Sequence, residues 1–122
     1  MKRILLIGFV MSLALSGCEN IIYNEWNPKD TDVRGARDSR DGTYVRISGT
    51  IESRLGGLNS EYYTFSDSSG TIVIEVEDGV WVRSIGVHPN SLELPASFEI
   101  VGEVEKDRGQ NPIIDVDRLT KL

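Results

Sequence analysis

The feature that most constrains the fold is a repeated two-residue alternation of apolar and polar side chains. From residue 43 onward, five short stretches alternate in this way, and turn-forming residues separate them. A period of two is typical of strands with one buried face. Five such strands predict an all-β fold, a small closed or nearly closed barrel, because closure removes exposed strand edges. The predicted inward rows are Val45, Ile47, Gly49, Ile51, Tyr63, Phe65, Ile72, Ile74, Val76, Phe98, Ile100, Gly102, Val104, Ile114 and Val116.

The clearest hairpin signal lies in residues 62–79, which read YYTFSDSSGTIVIEVEDG. In its turn, the Asp67 side chain can accept hydrogen bonds from backbone N–H groups just ahead, so residues 67–70 are predicted to reverse the chain. Residues 78–96 are less regular and contain Pro89 and Pro95. No amphipathic helix of useful length is predicted anywhere in the chain.

The N-terminus reads as an export signal. A basic head, Lys2 and Arg3, precedes an almost wholly apolar run in residues 4–15 and then the sequence LSGC ending at Cys18. That run is too short for the ~20 residues that a spanning helix needs. The pattern predicts a secretory signal peptide in residues 1–17. The sequence LSGC resembles the lipobox of bacterial lipoproteins, so Cys18 is predicted to be acylated, with chains such as palmitate, and to become the mature N-terminus.

Residues 18–41 are predicted to form a lipidated N-terminus and a flexible tether, and residues 42–122 the folded domain. Charged and small residues dominate residues 27–42, so little apolar surface is available to offset the entropy of ordering. A flexible coil over residues 19–41 would reach roughly 25 Å. A short solvated helix around residues 32–41 is the alternative. Tyr23 and Trp26 either pack on the domain or lie at the membrane interface.

The charge balance argues against nucleic acid as a partner. Without Lys2 and Arg3, the mature part carries 11 basic and 19 acidic residues, a net charge of −8. Proteins that bind nucleic acid take much of their affinity from basic side chains on phosphates. An acidic, exported domain therefore predicts no nucleic-acid partner.

Three motifs follow one another along the folded part of the chain: Y-x-F-x-D-x-x-G-x-I-x-[VI]-x-V in residues 63–76 followed by Trp81, IVGEVEKD in residues 100–107, and IDVDRL in residues 114–119. In this order they resemble the bacterial OB-fold (BOF) family of small periplasmic proteins associated with stress tolerance. The resemblance covers residues 43–122. It implies a five-stranded OB-fold barrel, export and no enzymatic activity. Family members are usually released into the periplasm, whereas this chain carries a lipobox, and its stretch between Trp81 and Phe98 is longer than usual.

OB folds usually bind ligands on the face of their second and third strands. On this chain that face is predicted to present Tyr62, Thr64, Ser66, Val73 and Glu75, flanked by loops at residues 56–61 and 107–111. It offers one outward aromatic residue and little positive charge. These five residues are the predicted ligand-binding set.

No catalytic set is predicted, since the single histidine, His88, lies in a Val-His-Pro loop context typical of a solvated residue. No cofactor and no tight metal site are predicted. Carboxylates do alternate outward on the fourth and fifth strands: Glu99, Glu103, Glu105, Asp115 and Asp117, with Glu75 and Glu77 as a second pair. They either bind cations or cationic peptides or form a solvated face partly neutralised by Lys106, Arg108, Arg118 and Lys121.

The sequence therefore predicts a non-catalytic envelope lipoprotein whose OB-fold module contacts small cationic or cell-envelope ligands. It is expected to be anchored through Cys18, in the outer membrane and facing the periplasm; Glu19 after the cysteine favours the outer membrane. The alternative is a structural or accessory subunit that docks on an envelope protein partner.

Overall fold

The computed structural model describes residues 22–107 and 109–122, so the signal peptide and Cys18 lie outside the described residues. Its six strands are β1 (Lys29–Asp30), β2 (Tyr44–Arg54), β3 (Tyr62–Asp67), β4 (Gly70–Glu75), β5 (Ala96–Glu105) and β6 (Ile113–Lys121). They form one sheet in the order β1-β2-β3-β4-β6-β5, and β5 also pairs with β2. Strands β2 to β6 thus close a five-stranded barrel with the strand order of an OB fold, which confirms the predicted fold class.

The barrel interior holds the predicted apolar rows. All the inward apolar side chains named above are at most 2% exposed, from Val45 on β2 to Val116 on β6. Every barrel pairing is antiparallel except that of β4 with β6, which is parallel. This parallel pairing joins strands that are far apart in sequence and decides which side chains meet on the outer face.

The hairpin between β3 and β4 turns as predicted. Asp67 pairs with Gly70 across the turn, and the Asp67 carboxylate accepts hydrogen bonds from Ser69 N (2.7 Å) and Ser69 Oγ (2.6 Å). Its other oxygen accepts from Val33 N at 2.9 Å. These bonds lower the pKa of the Asp67 carboxyl, against the opposing effect of burial, and they also tie the N-terminal segment to the turn.

Helix α1 (Val33–Arg37) lies between β1 and β2 in the chain. Helix α2 (Asp78–Ile85) follows β4 and closes one end of the barrel. Trp81 on α2 is fully buried, with its ring centroid 5.4 Å from that of Tyr63 and 5.7 Å from that of Phe98. The expectation that no useful amphipathic helix exists was therefore wrong. His88 lies beyond α2 in a loop, and its side chain is 53% exposed, as expected of a solvated residue. None of the helices in the described residues is long and apolar enough to cross a membrane.

The segment predicted to be a flexible tether is ordered against the barrel over residues 29–39, which corrects that prediction. Strand β1 pairs in parallel with Val45 and Arg46 of β2, beside the part of β2 that β3 does not reach. In α1, Val33 and Ala36 are fully buried. The alternative of a short helix was right about the helix and wrong about its being solvated. Composition misled here, because two apolar residues three positions apart are enough to dock one helical turn.

Candidate functional site

The five predicted ligand-binding residues all lie on the outer side of the β3–β4 pair. Tyr62 is opposite Glu75, and Thr64 is opposite Val73. Ser66 Oγ donates to Glu52 Oε2 at 2.6 Å, and Thr64 Oγ1 lies 3.2 Å from Ser53 Oγ. The hydroxyl groups of Thr64 and Ser66 are therefore already in contact with neighbouring side chains. Tyr62 and Glu75, at the other end of the row, are the polar pair left to contact a ligand, and the role of the row in binding stays a prediction.

Glu75 belongs to a group of three carboxylates that the barrel brings together. Glu75 on β4 is opposite Asp115 on β6, and Glu105 on β5 is opposite Ile113, two residues before Asp115. One carboxylate oxygen from each of Glu75, Glu105 and Asp115 lies within 4.8 Å of the others. We call these three residues the carboxylate cluster.

Burial raises the pKa of all three cluster side chains. Neighbouring charge adds to the effect: Asp115, Glu61 and Glu77 act on Glu75, Glu77 acts on Asp115, and Asp115 is the strongest charged neighbour of Glu105. Both causes disfavour the ionised form, because a half-buried carboxylate has lost hydration and meets like charge. Among the described residues no ion pair involves the cluster, so the folded protein holds this negative charge without a cationic side chain.

The acidic surface continues beyond the cluster along β5 and β6. Glu103 is opposite Asp115, and the pKa of the Asp117 carboxyl is raised by burial and then by Glu25, Asp115 and Glu103. The pKa of the Tyr44 hydroxyl is raised by burial and by the carboxylates of Glu103 and Asp117. The ends of the loops at residues 55–61 and 106–112 flank this surface, where OB folds usually bind ligands.

Of the cations predicted to neutralise this face, Arg118 lies 5.2 Å from the Trp26 ring centre and 3.9 Å from Glu25, and its charge opposes the rise in the pKa of Asp117. Lys121 Nζ lies 5.4 Å from the centre of the Phe98 ring, and among the described residues Lys106 forms no ion pair. Arg108 is not among the described residues. From the sequence, Glu75 was expected to pair with Glu77, and the carboxylates of the last two strands were expected to form a separate patch. The parallel β4–β6 pairing of an OB fold was the signal that joins them.

Replacing Asp115 with asparagine is expected to raise the melting temperature, because it removes like charge from directly opposed strand positions. Such repulsion costs roughly 0.2–1 kcal/mol, so about 0.5 kcal/mol, or roughly 2–4 °C, is expected. The Asp115 and Glu75 carboxyls bind protons at higher pH in the folded protein than in the unfolded chain, since their folded-state pKa values are raised. Their destabilising effect is therefore lost as pH falls through the folded-state values toward about 4, and the advantage of the variant shrinks.

Thermal unfolding at several pH values measures this effect. Glu93→Gln, in the exposed loop before β5, is the matched control and should leave the melting temperature unchanged. A lower melting temperature for Asp115→Asn at neutral pH would show that the carboxylate is a net stabilising group.

The chain matches the family described as Bacterial OB fold (BOF) protein over residues 17–121. It is 33% identical to protein YgiW of Escherichia coli over 96 residues, which is 79% of this chain and 66% of that protein. The solved YgiW structure superimposes with a TM-score of 0.62 over 77% of this chain and 90% of that chain.

Two further proteins are less similar to this chain. The calcium-regulated OB-fold protein CarO of Pseudomonas aeruginosa is 29% identical over 80 residues, or 66% of this chain and 61% of CarO, so the alignments span less than two thirds of either curated relative. The telomere capping protein Ten1 of Saccharomyces pombe has a TM-score of 0.53 at 21% identity, covers 77% of this chain and 80% of Ten1, and shares the fold alone. The family match over residues 17–121, the 33% identity to YgiW and the superposition on its solved structure agree: this chain belongs to the bacterial OB-fold (BOF) family.

Proposed function

We propose that this chain is a non-catalytic binding module of the cell envelope whose carboxylate cluster binds a small cation, with Ca²⁺ as the first ligand to test. The observation that carries the proposal is the convergence of Glu75, Glu105 and Asp115 from three strands. A bound cation would compensate the burial and repulsion that raise the pKa of these groups.

The spacing of the cluster suits a hard divalent cation. Calcium binds oxygen ligands at about 2.3–2.6 Å, so two oxygens on one ion lie at most about twice that distance apart. The cluster oxygens are within 4.8 Å of one another, which is inside this limit. Three carboxylates supply up to six oxygens if each is bidentate, and water completes the six to eight ligands that calcium takes.

The relatives support this reading in two ways. One is named a calcium-regulated OB-fold protein, and none of the names of the curated relatives denotes an enzyme. The chain has a single histidine, which lies in an exposed loop, so it offers no histidine-based catalytic set. A binding role on an OB barrel needs only the cluster and its flanking loops.

The location is part of the proposal. The basic head, the apolar run and the LSGC sequence support export and acylation at Cys18. Two acyl chains give stable anchoring without a spanning helix. The module would then lie on the periplasmic side of the outer membrane, where cations and cell-envelope ligands are accessible to it.

The test is a calcium titration of residues 18–122 carrying Cys18→Ser, which keeps every described residue. At ten times the dissociation constant, binding stabilises the fold by about 1.4 kcal/mol, or roughly 6–11 °C. An affinity in the range of about 10⁻⁴–10⁻³ M is expected, as for other extracellular modules. Calorimetry measures it directly, and spermidine replaces Ca²⁺ in a parallel arm to test organic cations.

Asp115→Asn separates ligand binding from folding, because it should stabilise the free protein and yet remove most of the calcium response. Glu93→Gln should keep the full response. The proposal is wrong if neither Ca²⁺ nor spermidine changes the melting temperature, or if Asp115→Asn responds like the native chain.

A second candidate is docking on an envelope protein partner. Two exposed apolar side chains favour it: Leu58 in the loop before β3 is 78% exposed, and Tyr62 at the start of β3 is 42% exposed, beside the cluster. A stoichiometric partner recovered by crosslinking from membranes, and lost with Leu58→Ser, would favour this function over small-cation binding.

A further inference from the structure

A tight turn at residues 24–27 holds an exposed indole on the side of the barrel. Asn24 Oδ1 accepts hydrogen bonds from Trp26 N (2.9 Å) and Asn27 N (2.8 Å), and Asn24 and Asn27 also exchange two backbone hydrogen bonds. Trp26 is 81% exposed, whereas Trp81 is fully buried. Tryptophan is the amphipathic side chain enriched at membrane–water interfaces. The turn thus fixes the backbone of a residue suited to such an interface.

Trp26 borders a cavity of about 490 Å³ whose wall carries both signs of charge. The cavity lies between the turn, α2 and the second half of β6. Its wall consists of Glu25, Trp26, Arg83, Ser84, Asp117, Arg118 and Leu119. This volume lies within the range of about 300–1,000 Å³ that is usual for small-molecule sites.

The charged groups of this cavity have unused hydrogen-bonding capacity. The Arg118 guanidinium lies 5.2 Å from the Trp26 ring centre and donates through Nη2 to the Glu25 carbonyl at 3.0 Å. Arg83 Nη2 donates to the Asp117 carbonyl at 3.1 Å. Within the described residues, Arg118 Nη1 and Asp117 Oδ2 are buried without a hydrogen-bond partner; Arg118 Nη1 forms an ion pair with Glu25 Oε2 at 3.9 Å, a distance too long for a hydrogen bond. Unpaired buried groups of this kind call for an explanation, and a bound ligand is one.

The distance along the chain places this cavity close to the proposed anchor. Cys18 precedes Ile22 by four residues, which span at most ~14 Å when fully extended. Ile22 is 77% exposed. Because β1 and α1 are docked on the barrel, the long reach expected of a flexible tether is not available. With Cys18 acylated as proposed, the edge of the barrel that carries Ile22 and Trp26 would face the bilayer.

We propose that this cavity binds the phosphoethanolamine headgroup of a membrane phospholipid, with the phosphate on Arg83 and Arg118 and the ammonium on Glu25 and Asp117. Trp26 then lies at the level of the glycerol backbone. A zwitterionic headgroup matches a wall that carries two guanidinium groups and two carboxylates, whereas an anionic headgroup would meet both carboxylates unpaired. The docking rests on the proposed anchor at Cys18, which supplies an effective lipid concentration in the mM range, so a weak affinity is enough.

The test exploits the single cysteine of the chain. Residues 18–122 are coupled through the Cys18 thiol to a maleimide phospholipid in vesicles of brominated phosphatidylglycerol, either mixed with phosphatidylethanolamine or free of any zwitterionic lipid. Bromine on the acyl chains quenches tryptophan that enters the interface. We expect quenching of Trp26 in the ethanolamine vesicles and much less in the glycerol vesicles, and Trp26→Phe gives the baseline of Trp81.

Arg83→Gln should reduce the ratio of docked to free barrel about tenfold, the effect of losing one charged hydrogen bond. Glu25→Gln should weaken the preference for ethanolamine. Arg34→Gln, the same charge change at an exposed position of α1, is the matched control and should have no effect. Equal quenching in both vesicle types, no quenching in either, or equal quenching in Arg83→Gln and the native chain would overturn the proposal.

The outcome of this quenching experiment is independent of the outcome of the calcium titration that tests the proposed function. The chemical coupling supplies the anchor, so the result does not depend on natural acylation of Cys18. The readout uses none of the residues of the carboxylate cluster, and the calcium titration uses none of those in the cavity. Absence of natural acylation would show separately, as native protein in the soluble fraction.

Discussion

Replacing Trp81 with alanine is expected to destabilise the barrel by about 3–5 kcal/mol, the usual cost of truncating a buried tryptophan. Trp81 is fully buried and meets Tyr63 and Phe98 edge-on, so its removal opens a cavity where α2 closes the barrel. Domains of this size are stable by roughly 5–15 kcal/mol. A large part of the population is therefore expected to unfold at temperatures where the native chain is stable.

Urea unfolding followed by circular dichroism measures this loss. Val82→Ala is the matched control, because Val82 is the next residue of the same helix and is 52% exposed. An exposed substitution of this kind is expected to change stability by less than about 0.5 kcal/mol. Equal midpoints for the two variants would mean that α2 does not close the barrel core.

The barrel strands could be predicted from sequence because each alternates over its own length. The buried row from Val45 to Val116 needed no knowledge of the partners of each strand. Helix α2 was different. It contains Gly79, Val80 and Val82, which have modest helix propensity, and Glu77 makes no side-chain cap bond. Its stability comes from the packing of Trp81, and short helices of this kind depend on tertiary contacts.

The order of the N-terminal segment also depends on contacts between residues far apart in sequence. Val33 N bonds to Asp67 and Arg34 N bonds to Ser69 Oγ, so the β3–β4 turn caps α1. Asp67 was correctly assigned to the turn, but its second oxygen serves a residue 34 positions earlier. The composition of the N-terminal segment shows only polar residues with two apolar ones among them, and it carries no information about these distant contacts.

The carboxylate cluster was half predicted for a similar reason. Glu75 was in the predicted binding set, and Glu105 and Asp115 were in the acidic patch. The alternation gave the outward direction of each, but only the parallel register of β4 with β6 places Glu75 opposite Asp115. Thr64 and Ser66 lie farther along the strand pair from Glu75, whereas Val73 is opposite Ile113, which is itself opposite Glu105.

Replacing Gly102 with alanine is expected to destabilise the chain by about 2–3 kcal/mol, because a single added methyl group has no space. A Cβ at Gly102 would meet the carbonyl oxygen of Asp115 and would lie 2.8 Å from Val116 Cα. These are backbone atoms of β6, so no side-chain rotation relieves the contact. The register of β5 and β6 shifts between Val101 and Gly102, and this is where the two strands approach closely.

Gly79→Ala is the matched control, since the same methyl group added on α2 meets nothing within 4 Å. In a helix this exchange is expected to stabilise by up to about 1 kcal/mol, so the two variants should shift the urea midpoint in opposite directions. Gly102→Ala must also displace Asp115, whose carbonyl it contacts, and should weaken the calcium response of the molecules that remain folded. A Gly102→Ala chain with native stability and a native calcium response would contradict both the close approach of β5 to β6 and its role in assembling the cluster.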